Sequence, residues 1–316
     1  MFNKKVKGLL LIAAVVVIAV SCAYFYMNTD TGTTVKIGYL PSDHDSALFV
    51  ANAQKSYADK GINVQTVQFN NGGDLMSAMA GGDVDIGYVG ITPVLASIEK
   101  GVPVKVVAGA QTEGSAIVVS SDSSIKSVSD LAGKTIATPG EASIQYMLLE
   151  YALNNESMDI KNLDVSAMKV SSMSDALKTG QIDAMVTYEP YASLAVQSGY
   201  GKILENSSQI IPEHPCCVVV ASDSFIDNHP DTLKTIVNIH NQATEFISSN
   251  PDEAAKLLPS DIVANETVET SVLNQMHFVK GLNETYKQSI IDFMNIEVDL
   301  GVLKQPISQE KIFYEA

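Results

Sequence analysis

A chain of 316 residues with 46% hydrophobic content is long enough for two compact cores of roughly 100 to 150 residues each. Its 36 acidic against 20 basic residues leave a formal charge of −16, which repels phosphate backbones and argues against nucleic acid as a partner. Every basic residue is lysine, so there is no planar guanidinium fork, and a bound anion must rely on Lys, His, hydroxyls or the backbone N–H groups at helix starts.

The chain begins with an address. Lys4, Lys5 and Lys7 precede an apolar run from Leu9 to Val20, and Ser21 and Cys22 follow, the layout of an export signal with a lipidated first cysteine. The apolar stretch Gly8 to Met27 is also long enough to span a bilayer uncleaved. Either route places the remainder outside the cell, anchored to the outer face of the cytoplasmic membrane. Residues 1–22 are thus read as signal and anchor, and 23–34 as a polar linker.

VKIGYL (35–40) predicts a buried strand, and residues 41–61 a helix that ends at Gly61. NVQTVQF is a second strand, NNGGDLMSAMAGG a loop and helix, and DIGYVG a strand. A helix with Thr92 as cap and Pro93 in its first turn comes next. VKVVAGA and SAIVVSS complete this group as strands. A new round then starts: KTIATP strand, SIQYMLLEYAL helix, LDVSAMKV strand, SSMSDALKTG helix, AMVTYEP strand, and a helix after Pro190. CCVVVAS is one more strand, and the tail reads as mainly helical, with breaks at Pro251, Pro259, Gly281, Gly301 and Pro306.

Two stretches say almost the same thing, GGDVDIGYVG (81–90) and TGQIDAMVTYEP (179–190): a helix end, a glycine, a β-branched residue, an aspartate and an apolar strand. Strands alternating with helices in two successive rounds predict an α/β chain of two lobes, each a mostly parallel sheet flanked by helices. Residues 35–121 and 211–316 are assigned to the first lobe and 122–210 to the second. Ligands in such sheets sit where loops leave the carboxyl ends of strands, so two facing lobes make a cleft.

Only Cys22, Cys216 and Cys217 are present, so no disulfide framework holds the exported part together. Cys216 and Cys217 read first as two small buried hydrophobes on opposite faces of a strand, with a vicinal disulfide or a ligand contact as alternatives. There is no G-x-S-x-G elbow, H-E-x-x-H, paired C-x-x-C or Walker loop, so neither an enzyme nor a resident metal or cofactor is expected.

VKIGYLP, GGDVDIGYVGITPVL, DLAGKTIATPGEASIQYMLL, LKTGQIDAMVTYEPY and HPCCVVVAS, in that order, resemble the nitrate/sulfonate/taurine/bicarbonate group of solute-binding proteins that serve ABC importers. The resemblance implies a type II periplasmic-binding fold whose lobes close on one small solute, as a monomer that hands it to a permease and its ATPase. Thiamine-pyrimidine and futalosine-pathway enzymes share this architecture, which leaves a pyrimidine-precursor binder or enzyme as the alternative. The export segment favours a binder.

Matching the cleft loops of that family gives candidate contacts. His44 at a helix start is a donor to an oxyanion, or a solvent-exposed capping residue. Asn71 and Gly72 form a turn that lets a ligand approach backbone N–H groups. Thr92, Gln111 and Glu113 follow strands of the first lobe. Thr138, Glu141 and Ser143 form the TPGEAS loop of the second lobe, Tyr188 and Glu189 end the repeated strand, and His214 lies near the return crossing. Glu113, Glu141 and Glu189, with no arginine to oppose them, favour a zwitterion such as an aminosulfonate over a bare anion.

Overall fold

A computed structural model describes residues 33–260, 262 and 265–314 of the chain. Cys22 and nearly all of the linker lie outside the described residues. Among those residues no helix is long and apolar enough to cross a membrane.

The chain runs through β1 (Thr34–Tyr39), a 3₁₀ turn (Asp43–Asp45), α1 (Ser46–Ala53), β2 (Asn63–Gln68), α2 (Gly72–Ala80), β3 (Ile86–Gly90), α3 (Ile91–Glu99) and β4 (Val104–Thr112). It continues with β5 (Ser115–Ser120), β6 (Thr135–Thr138), α4 (Ile144–Asn155), β7 (Asp164–Ala167), α5 (Val170–Lys178), β8 (Ala184–Tyr188), α6 (Tyr191–Gln197), β9 (Gly201–Asn206) and α7 (Ser207–Ile210). The last part holds β10 (Pro215–Ser222), α8 (Asp223–Asn228), α9 (Pro230–Ser249), α10 (Pro251–Ala255), α11 (Glu266–Gln275), β11 (His277–Phe278), α12 (Glu284–Asp299) and α13 (Gln309–Ile312).

Two sheets form, in the orders β11-β4-β10-β3-β1-β2 and β7-β6-β8-β5-β9. Within each, three strands are parallel: β2, β1 and β3 in the first, and β7, β6 and β8 in the second. The next strand, β10 or β5, is antiparallel to both of its neighbours. The sheets thus repeat one plan, and the antiparallel member of each is the strand that has just crossed over from the other.

This corrects one boundary. SAIVVSS was expected in the first lobe, but β5 pairs with β8 and β9, so the chain crosses near Glu113 and Gly114 rather than after residue 121. Five of the six β5 residues are buried, and a strand with both faces covered carries no pattern that names its sheet. Residues 41–61 also differ from the expected single helix. They form a 3₁₀ turn, α1 and a second short 3₁₀ turn, with Lys55 in the left-handed region at φ 60.

The duplicated stretch has a physical job. Asp85 accepts a hydrogen bond from the Lys36 N–H at 2.8 Å and donates its own N–H to the Lys36 carbonyl at 3.0 Å. Asp183 does the same to Thr135, at 2.9 and 2.8 Å. Each aspartate thereby pins the start of the first parallel strand of its sheet to the turn before the third. Gly82 and Gly180 ahead of them take positive φ, 77 and 69, which side chains rarely tolerate.

Candidate functional site

The carboxyl ends of β1 and β3 in one sheet face those of β6 and β8 in the other, and a cavity lies between them. The first lobe contributes Leu40 and the 3₁₀ turn with Ser42, His44 and Asp45, then Asn71 and Gly72 at the start of α2, and Gly90 and Pro93 at the start of α3. The second lobe contributes Pro139, Ala142, and Ser143 to Gln145 at the start of α4, with Tyr188 at the end of β8. Cys216 and Cys217 from β10 complete it. The room for water centres is about 40 Å³. Since one water needs roughly 10–15 Å³ on that measure, the space suits about three or four waters or a solute of similar bulk.

The starts of three helices line this space. Asn71 caps α2 by accepting from the Asp74 N–H at 2.9 Å, and Ser143 caps α4 by accepting from the Tyr146 N–H at 3.2 Å. The first N–H groups of a helix lack partners within it and carry partial positive charge, so this arrangement favours an anionic group without any arginine. Gly72 has no room for more: a Cβ there would lie 2.7 Å from Pro93 Cγ. The lobes also touch each other. Ser42 Oγ donates to the Glu189 carbonyl at 3.2 Å, the Asp43 N–H donates to the same oxygen at 3.3 Å, and Ile144 packs against Gly90.

Asp45 is the carboxyl inside the cavity. One oxygen accepts from the Leu40 N–H at 2.9 Å, while the other is buried without a protein partner. Burial pushes its pKa up to about 8, against the Leu40 hydrogen bond and the His44 charge, which pull it down. His44, only 3% exposed, uses Nε2 to reach the Gly114 carbonyl at 3.0 Å, and its Nδ1 faces Cys216 Sγ at 3.5 Å and Cys217 Sγ at 3.4 Å. Burial opposes charge on His44, yet the neighbouring Cys216, Asp45 and the Gly114 carbonyl raise its pKa overall. Burial likewise opposes a Cys216 thiolate, but hydrogen bonding from Cys217 and the proximity of His44 hold its pKa well below the usual thiol value. The Cys217 thiol, hydrogen-bonded to the free Cys216 and buried, is pushed the other way.

Of the residues singled out in the sequence, His44, Asn71, Gly72, Ser143 and Tyr188 meet at the cavity. The exposed alternative for His44 does not hold. The others stand elsewhere. Thr92 is not a cap, because β3 runs to Gly90 and α3 starts at Ile91; its hydroxyl is buried toward Glu297. Thr138 is buried at the end of β6 and accepts from the Gly140 N–H, shaping the turn, while Glu141 is solvent-exposed. Glu189 turns its carboxylate onto Ser193, accepting from both its N–H and its hydroxyl at 3.0 Å, so it caps its own helix. Glu113 ties the two crossings together by accepting from the Glu213 N–H at 2.7 Å. Gln111 donates to the Glu113 carbonyl and His214 stacks on Phe293, so both serve the hinge. The charge argument from Glu113, Glu141 and Glu189 therefore does not apply in the cavity, where Asp45 takes their place.

Asp45, Gln145, Leu40 and the two cysteines as a converging pair were missed as site residues. Asp45 stands beside His44 in sequence, which was the available signal. For the cysteines a ligand contact stood only as an alternative, because alternation along a strand predicts opposite faces.

A two-lobed α/β fold with a small cavity between its sheets is the architecture of periplasmic binding proteins. The chain belongs to the NMT1-like family, whose profile matches residues 29–259. It is 26% identical over 294 residues to a putative aliphatic sulfonates-binding protein of Bacillus subtilis, covering 88% of each chain. It is 27% identical over 206 residues to the taurine-binding periplasmic protein of Escherichia coli, covering 64% of this chain and 63% of that one. In three dimensions it superposes on the alkanesulfonate-binding protein SsuA of Xanthomonas axonopodis pv. citri, solved bound to MOPS, with a TM-score of 0.79 and 19% identity, covering 90% of this chain and 99% of that one. These relatives are named as binding proteins rather than enzymes.

Proposed function

We propose that the protein is the extracytoplasmic solute-binding component of an ABC importer, a monomer anchored through Cys22, that captures a small organic solute of the sulfonate or taurine type by closing its lobes and presents it to a permease and ATPase. The observation that carries this reading is the pairing of opposite requirements in one cavity. Helix starts from both lobes suit an oxyanion, and the unpartnered oxygen of Asp45 suits an ammonium. An aminosulfonate has both groups a few bonds apart. Contacts from both lobes favour the closed arrangement only when the solute bridges them.

The test is heat denaturation against taurine, simple alkanesulfonates, nitrate, bicarbonate and a thiamine-type pyrimidine. A true solute at 100 times its Kd adds about 2.7 kcal/mol of stability. Taurine is expected to stabilise most, and Asp45→Asn to remove its advantage over an alkanesulfonate without an amine. Because Asp45 titrates near pH 8, it is mostly protonated at pH 7, and an ammonium beside it expels that proton. Heats of taurine binding will therefore depend on the ionisation enthalpy of the buffer. Stabilisation by nitrate or the pyrimidine alone overturns the sulfonate reading, and stabilisation by none of the panel overturns the solute class.

A further inference from the structure

We propose that His44, Cys216 and Cys217 form a binding site for one thiophilic metal cation of tetrahedral preference, such as Zn²⁺ or Cd²⁺, with its fourth coordination position open to the cavity. The site opens into the same cavity as the proposed solute, but its existence does not depend on the solute reading.

The spacing carries the argument. A tetrahedral zinc with Zn–S of about 2.3 Å and Zn–N of about 2.05 Å places two sulfurs about 3.8 Å apart and sulfur and nitrogen about 3.6 Å apart. The two Sγ atoms stand 3.9 Å apart, and they lie 3.5 and 3.4 Å from His44 Nδ1. The three donor atoms thus already occupy three corners of such a tetrahedron. All three residues are buried and all three line the cavity, so a donor atom at the fourth corner would come from that space.

The surroundings orient these donors. The His44 Nε2–H is directed at the Gly114 carbonyl, which leaves the Nδ1 lone pair facing the sulfurs, the tautomer a metal ligand needs. Gly114 is cut to fit, since a Cβ there would sit 2.7 Å from His44 Nε2. The second feature is the backbone of β10. Adjacent residues of a regular strand point to opposite faces, yet both thiols reach the same imidazole. They do so because the register against β4 slips on both sides of Cys217, a bulge of the kind that re-aims side chains. Tyr286 fastens that bulge by donating to the Cys217 carbonyl at 3.0 Å. Two buried hydrophobes would need none of this. Chemically, two thiolates balance a divalent cation, so the loaded site is neutral and its burial carries no net charge. The thiol protons leave to solvent as the cation enters.

The experiment uses the full chain, reduced, stripped with a chelator and checked for two reactive thiols in denaturant beyond Cys22. Titration with Cd²⁺ is expected to give one equivalent bound, with ultraviolet sulfur-to-metal charge transfer, and Zn²⁺ is expected to compete for the same equivalent. Cys216→Ser, Cys217→Ser and His44→Gln should each weaken binding roughly 100-fold or more, because each removes one of only three protein ligands. Zn²⁺ should raise the melting temperature of the wild type but not of Cys216→Ala/Cys217→Ala. X-ray absorption of the zinc-loaded wild type should report two sulfur neighbours and one histidine nitrogen, a readout that needs no variant to fold. Absence of binding at micromolar free Zn²⁺ with thiols reduced, an oxygen-and-nitrogen-only shell, or binding that survives the double substitution overturns the site.

Discussion

The two copies of the repeated unit, α2 to α3 and α5 to α6, are built alike and end differently. Both use a positive-φ glycine and an aspartate that clamps the opening strand of the sheet. Beyond the clamp they diverge. The first copy ends in Gly90, which has no side chain, and its helix is covered by the C-terminal α12 through Thr92 and Glu297. The second ends in Tyr188, whose ring forms a wall, and its helix is capped by Glu189. Duplication supplied two equal frames; the cavity arises because one frame leaves space at the position where the other fills it.

The largest expected effect lies in the cover over the first copy. Burial raises the Glu297 pKa to about 8 from the ordinary 4.5, against a lowering contribution from Thr92. The unfolded chain ionises first, so stability from the neutral carboxyl is fully present below pH 4.5 and is lost as pH rises toward 8. At roughly 1.4 kcal/mol per pKa unit the loss reaches up to about 5 kcal/mol. Denaturant melts of Glu297→Gln should be flatter over this range, and a wild-type slope equal to that of the variant would remove Glu297 from the account.

Filling the space is the next sharpest cut. Gly90 has ordinary extended φ, and a Cβ there would meet Ile144 Cδ1 at 3.2 Å and Cγ1 at 3.4 Å, with Pro93 Cδ at an ordinary 3.7 Å. Gly90→Val should therefore fold while costing about 2 kcal/mol of solute binding by overpacking. Retained affinity by calorimetry would show that the solute lies elsewhere.

The clamps should rank by their burial. Asp85→Ala is expected to cost about 2 kcal/mol of unfolding free energy and the more exposed Asp183→Ala about 1 kcal/mol, each measured by urea melts. Equal losses would mean that the two copies are energetically as well as geometrically alike. The smallest effect belongs to Glu189→Gln, which keeps an acceptor for Ser193. Stability should stay within about 0.5 kcal/mol and solute affinity should not change. A large loss of affinity would return Glu189 to the cavity.

Much of the fold was legible because periodicity and turn residues are local signals. The alternation of strands and helices and the double aspartate follow from residues within a few positions of one another. Where the reading went astray, the deciding feature was an exact helix start or a backbone N–H partner that residue type alone does not show. Thr92 looked like a cap, but the helix starts at Ile91, directly after the strand ends at Gly90. Glu113 and Glu189 looked like cleft acids, but each found a nearer backbone N–H to serve.

The amino-acid order alone determined two α/β rounds, a charge hostile to nucleic acid, and the absence of any guanidinium, because composition and short-range pattern suffice for these. Only the tertiary structure decided which sheet receives β5, which carboxyl enters the cavity, and that neighbouring cysteines turn to one histidine. A fully buried strand carries no mark of its partners, and a slip in register is set by the strand alongside rather than by the residues that move.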